Sequence, residues 1–193
     1  MLSLTSTLGT GALLSNIVRD AFQQGVEGLF EDAKVRPIGD RLHDLSLNGE
    51  TWAGVVGFTA NEIRGSLVIN MNEPMVVNSL PEAIRTRMRE HPDDANFHRT
   101  LNDWCGEIAN QIVGRAKNRI SEYGPLLTLS SPISLRASGM VWGASTSTHE
   151  FRQLLEQGEG QILSIASVTI ERDHEVEPIS ANAAATEGEM MMF

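Results

Sequence analysis

A chain of 193 residues with 41% hydrophobic and 21% charged residues is large enough, and apolar enough, to bury one full core. A formal charge of −10 argues against a nucleic-acid binder, whose contact surface must be basic. No apolar run reaches the roughly 18–20 residues of a membrane helix, and no positive residue precedes Arg19, so the basic opening of a secretory signal is missing. A cytoplasmic protein with no nucleic-acid and no membrane partner is expected.

In chain order, residues 1–14 are small and polar, with Gly9 and Gly11, and read as a flexible arm. Ser15 is a suitable cap for a helix from Asn16 to about Asp32. Its apolar face is Ile17, Val18, Phe22, Val26, Leu29 and Phe30, while Gly25 and Gly28 weaken it or admit a strand at close range. Three strand-like runs follow: Leu42 to Leu47, Thr51 to Thr59 and Ile63 to Met71. Asn48-Gly49 between the first two is a hairpin signal, because both residues tolerate positive φ. Together they predict an antiparallel meander.

Asn72 precedes Glu73-Pro74 and suits the cap of a short helix burying Met75, Val76 and Leu80. A second short helix is predicted from about Glu82 to Arg89, and His91-Pro92-Asp93-Asp94 is a polar break. The longest periodic stretch then runs from near Ala95 to about Glu122, stopped by Gly124-Pro125. Leu101, Trp104, Cys105, Ile108, Ile112, Ala116 and Ile120 recur at three- and four-residue steps, which predicts one buried stripe. Cys105 is the single cysteine, so it forms no internal disulfide and no cysteine metal site, and reads as a small core residue.

Beyond the helix, Leu126 to Leu129 and Ile133 to Ala137 read as strand segments interrupted at Ser130-Ser131-Pro132. A turn at Ser138-Gly139 leads into a short segment from Met140 to Trp142. His149 to Glu156 is helical by propensity, with a strand as the alternative; Gln161 to Glu171 is a strand. Residues 172–193 are rich in Ala, Glu and Asn, and read as a mobile acidic tail. The order of elements predicts an α+β domain over residues 15–171, with helices packed on one face of an antiparallel β-sheet.

The chemistry is sparse. No phosphate-binding glycine loop, nucleophile elbow or HExxH occurs, and the five histidines show no ligand spacing. What remains is the side of the long helix away from its apolar stripe, where Asp103, Glu107, Asn110, Gly114 and Lys117 line up. Asn and Gly are poor interior helix formers, Gly by about 1 kcal/mol against Ala. Their presence beside a carboxylate suits a surface that docks on a partner. The acid grips a lysine, the amide holds and aims a water, and the glycine leaves clearance.

Asp103-x-x-x-Glu107-x-x-Asn110-x-x-x-Gly114 resembles the signature of the CheC/CheX/FliY phosphatase family, most closely its CheX-like domains. GEIANQIVGRAK, VVGFTANEIRGSLVINM and Leu129-Ser130-Ser131-Pro132 are similar to the family's motif helix and its flanking strands, and the match covers roughly residues 16–171. The resemblance implies removal of phosphate from the phospho-aspartate of a CheY-like response regulator. Glu107 would pair with the receiver's lysine and Asn110 would orient the attacking water, with Asp103 and Gly114 at the docking surface. The chain would need no cofactor of its own, the receiver supplying Mg²⁺. The first helix, SNIVRDAFQQGVEGLF, carries no Glu-x-x-Asn, so one working helix per chain is implied, as in CheX-like domains, and so is a homodimer. The alternative is a non-catalytic module or scaffold that docks a signalling partner through the same helix.

Overall fold

Two ten-residue runs with apolar residues at every second position make the centre of the sheet, and everything else is placed by them. A computed structural model describes residues 11–36, 47, 49–91, 96–140 and 146–179. The elements begin with β1 (Ala12–Leu13), α1 (Leu14–Glu27), β2 (Lys34–Arg36), β3 (Glu50–Thr59) and β4 (Ile63–Asn72). Three helices follow, α2 (Glu73–Ser79), α3 (Glu82–Glu90) and α4 (Phe97–Ser121). The chain continues through β5 (Thr128–Leu129), β6 (Ile133–Ser138), β7 (His149–Gln157), β8 (Gly160–Ile170) and β9 (Glu175–Val176).

β3 and β4 pair antiparallel along their length, from Thr51 opposite Asn72 to Thr59 opposite Arg64. The seven-stranded sheet has the order β2-β7-β8-β4-β3-β5, with β6 also on the outer side of β3. Every pair is antiparallel. The edge column is broken between β5 and β6 at the expected Ser-Ser-Pro, where Pro132 has no N–H to give to a ladder. Ser130 bridges the break: its N–H donates to the Gly57 carbonyl, and its hydroxyl accepts from the Gly57 N–H, both at 2.9 Å. The fold is thus the α+β antiparallel architecture that the order of elements predicts.

Alternation sends Trp52, Val56, Phe58, Leu67, Ile69 and Met71 to one face, where they join α1, α2 and α4 in a single core. The opposite face holds a smaller cluster of Leu47, Leu154, Leu163 and Ile165. α4 lies against the sheet at a depth that only glycine permits. A Cβ on Gly54 would overlap the Cys105 carbonyl oxygen and stand 2.9 Å from its carbon and 3.0 Å from the Ala109 Cβ. From the other side, a Cβ on Gly25 of α1 would sit 3.0 Å from the Ile112 carbonyl oxygen. The approach predicted at Gly25 is therefore that of a helix rather than a strand.

Asn72 caps α2 as predicted, its Oδ1 accepting from the Met75 N–H at 3.2 Å, and it also accepts from the Gln161 N–H at 2.8 Å. Ser15 does not cap α1. The helix begins at Leu14, two residues before the predicted Asn16, and the Asp173 carboxylate accepts from the Ser15 N–H at 3.0 Å and from its hydroxyl at 2.6 Å. A distant acid thus performs the cap, and α1 ends at Glu27 instead of Asp32. His149 to Gln157 is a strand: Leu155 pairs with Val35 on one side and Ile162 on the other, and this two-sided ladder overrides helix propensity.

The ends expected to be free are partly packed. β1 pairs with β9, the Leu14 N–H donates to the His174 carbonyl at 2.9 Å, and the Ile179 N–H donates to the Glu122 carbonyl at 2.7 Å. β2 was not predicted. Of the strand and turn predicted at 42–49, Leu47 is buried and Gly49 has φ +82, and the rest lies outside the described residues. The same holds for 92–94 of the polar break and for Val141 and Trp142.

Two expected outcomes follow from these contacts. Gly54→Ala destabilises the fold by about 1–3 kcal/mol in urea unfolding, because the obstacle is backbone and has no rotamer to yield. The Ser15 hydroxyl and N–H lower the Asp173 pKa, helped by His149 and His174 and opposed by burial. A depressed carboxylate stabilises the fold above its unfolded value of about 3.9, and that contribution is lost as pH falls through the lower folded value. Asp173→Asn therefore flattens the fall in stability below about pH 4 that urea titrations of the wild type record.

Candidate functional site

α4 has 25 residues and is clamped on most of its circumference. Leu101, Cys105, Gly106, Ile108, Ala109, Ile112, Val113, Ala116 and Ile120 are all buried. The buried surface is wider than the predicted stripe, because α1 covers a second side. Trp104, placed on that stripe by spacing, is only half-buried and donates its indole N–H to the Ser79 hydroxyl at 3.0 Å. Cys105 is fully enclosed, and burial pushes its thiol pKa far up, so it offers no nucleophile.

The strip left open carries the predicted residues. Asp103 and Glu107 are exposed, Asn110 and Gly114 are half-exposed, and a Cβ at Gly114 would meet nothing within 4 Å. At about 1.5 Å rise per residue, Glu107, Asn110 and Gly114 follow one another at roughly 4.5 and 6 Å along the axis. The Gln111 amide donates to Glu107 Oε1 at 2.8 Å, which steadies the carboxylate and leaves its second oxygen without a partner among the described residues. No cation among the described residues pairs with Glu107. Asn110 makes no side-chain hydrogen bond among them, so both of its polar atoms are available to a partner or a water.

Asp103 lies 3.9 Å from Arg99 at the i,i+4 spacing, with both side chains mostly exposed. Such a pair is worth about 0.3–0.5 kcal/mol and is readily exchanged for another partner. Lys117 is half-buried and belongs to the flank. Sequence reasoning did not find Gln111 as the support of Glu107, although a Glu followed by Gln four residues on is legible as a helix pair.

Arranged this way, the strip offers an acid with no base and an amide with no bond among the described residues, on a helix that is packed behind them. It can grip a cation and aim a water, and it has no nucleophile of its own. Among the described residues, no group of three or more His, Cys, Asp or Glu is gathered to hold a metal. No helix among them is long and apolar enough to cross a membrane. A hollow of about 640 Å³ is lined by Thr59, Arg64, Ser66, Ser167 and Thr169, on the sheet face away from α4.

The architecture defines the class: an antiparallel α+β domain built around one long helix with an open polar strip, the fold of CheX and CheC-like proteins. The chain belongs to the CheX family, since the model of chemotaxis phosphatase CheX matches residues 52–155, just over half of its length. It is similar in fold to CheX of Borrelia burgdorferi, solved as a CheX-CheY-BeF3-Mg²⁺ complex, at 15% identity and a TM-score of 0.60 over 81% of this chain and 97% of that one. A CheC-like protein of Shewanella sp. PV-4 matches at 17% identity and TM-score 0.61, covering 80% and 96% of the two chains. CheX of Vibrio vulnificus matches at 18% and 0.58, covering 80% and 98%. A search of curated proteins finds no match.

If Gly114 is kept for clearance and not for the fold, Gly114→Ala raises stability by about 1 kcal/mol in thermal or urea unfolding, the helix propensity difference with no clash to offset it.

Proposed function

We propose that this protein is a phosphatase for the aspartyl phosphate of a CheY-like receiver domain, and that Glu107 and Asn110 are its working pair. The observation that carries the proposal is their joint exposure: among the described residues, a carboxylate without a cation and an amide without a hydrogen bond, adjacent on the open side of a helix whose other sides are packed. Membership of the CheX family and likeness to a CheX solved with CheY support the choice of substrate.

The reaction asks little covalent work of the protein. A water oxygen attacks phosphorus, the bond from phosphorus to the aspartate oxygen breaks, and the products are inorganic phosphate and a free carboxylate. Asn110 accepts from the water through its side-chain oxygen and so fixes it in line with the breaking bond. Glu107 pairs with a lysine ammonium of the receiver and sets the register of the two proteins, its other oxygen held by Gln111. The receiver brings the Mg²⁺ that neutralises charge on the phosphoryl oxygens. Holding water and phosphorus in near-attack geometry is the whole contribution of α4. Asp103 and Gly114 serve docking, the first as an adjustable charge and the second as clearance for the receiver's backbone. The acting unit is the 15–171 domain together with its terminal β1–β9 clamp. It works as a homodimer, and the outer side of β6 is an edge that a second copy can join.

Asn110→Ala and Glu107→Ala each reduce the protein's acceleration of phosphate loss from its receiver by at least about 100-fold, the loss typical of a positioned group in the transition state. Both leave urea stability within about 1 kcal/mol of wild type, because neither side chain is buried. Phosphate release followed on the radiolabelled receiver checks this; a wild-type rate from Asn110→Ala would contradict the mechanism.

A further inference from the structure

We propose that the groove between α3 and the first two turns of α4 is a second docking site for the same phosphorylated partner, taking a segment with an apolar side chain beside a carboxylate. The inference rests on the phosphatase reading, and adds where the partner is selected. The groove has a volume of about 400 Å³. Ile84, Met88 and Phe97 make its floor, and Arg87, Arg99 and Asp103 its rim.

The first ground is α3 itself. It has nine residues and not one is buried. A helix that short is marginal in water unless an apolar face is covered. Its apolar pair, Ile84 and Met88, one turn apart, is only half-covered, with half-buried Phe97 of α4 beside it in the same groove. Among the described residues, that face packs against the main core on one side and is left incomplete on the other.

The second ground is position. Asp103 closes one side of the groove and lies one helical turn, about 6 Å, from Glu107. A specific interface covers about 800 Å² on each partner, a patch roughly 30 Å across. A receiver seated on Glu107 and Asn110 therefore extends over the groove. The third ground is charge. Arg87 and Arg99 stand at the rim with Asp103, in a chain of net −10. Arg99 holds Asp103 only at 3.9 Å and at the surface, so a partner carboxylate can exchange into the pair. Glu107 and Asn110 address the reacting group, which every phospho-aspartate site shares. Discrimination among partners needs contacts outside that group, and the groove supplies them.

The test uses the full chain and, as substrate, the receiver domain from the same genome whose phosphate the wild-type protein clears fastest. Met88→Glu and Arg99→Glu raise KM for that phosphorylated receiver about tenfold and leave kcat within about twofold, as loss of one interface anchor does. Met88→Leu and Arg99→Lys stay near wild type, and the melting curves of all four match it. An unchanged KM, or a fall in kcat at constant KM, overturns the proposal. So does a change in sedimentation that accounts for the loss, since the groove would then face a second copy of the chain. If no receiver is dephosphorylated, the phosphatase reading fails on its own. The groove is then judged by binding of receivers activated with beryllofluoride and Mg²⁺, where a tenfold weaker Kd for Met88→Glu supports it and an unchanged Kd or no binding overturns it.

Discussion

The approach of β3 to α4 at Gly54 is the constraint on which the rest depends. With no side chain at that point, the helix backbone comes down onto the strand until the Cys105 carbonyl fills the space where a Cβ would be. Gly25 allows α1 to press on the same helix at Ile112. Two backbone-level contacts from different directions leave α4 little freedom to slide, roll or rise. A close-packed interior transmits such constraints instead of absorbing them. α4 is consequently a stiff rod with one free strip.

That stiffness matters because of the chemistry the strip can perform. A protein that brings no nucleophile has only geometry to offer, and geometry is useful only when held within a fraction of an ångström. The open strip is locally unfavourable as helix: an asparagine with no partner among the described residues and a glycine in open space. Burial on the other sides compensates for both. The core thus tolerates a poor helix surface, and the surface is free to be chosen for a partner. α3 shows the same division in miniature, since it rests Ile84 and Met88 on the core without fully burying either and stands beside the working strip.

Much of this was legible in the residues. The alternation in β3 and β4, the Asn72 cap and the extent of α4 all rest on local physics, and they appear within a residue or two of where the sequence puts them. The outward side of Glu107 and the gap at Gly114 follow from helical spacing alone. What was not legible is non-local. Ser15 looks like a cap because the acid that does the capping, Asp173, lies 158 positions away. His149 to Gln157 looks helical because the strands on either side of it are invisible in its own text. The pairing of β1 with β9 joins two segments too short to be read singly. The α3 groove needs two helices at once, and neither shows it alone.

The central claim is that the free strip of α4 enters the partner's phosphorylated site with Asn110 at the reacting water. A crystal structure of this protein with its receiver, beryllofluoride and Mg²⁺ tests it most directly. Glu107 is expected within ion-pair distance of a receiver lysine, and the Asn110 side-chain oxygen within hydrogen-bond distance of a water in line with the bond from beryllium to the aspartate oxygen. A complex in which α4 lies outside the interface, or in which Asn110 points away from the beryllofluoride, would contradict it.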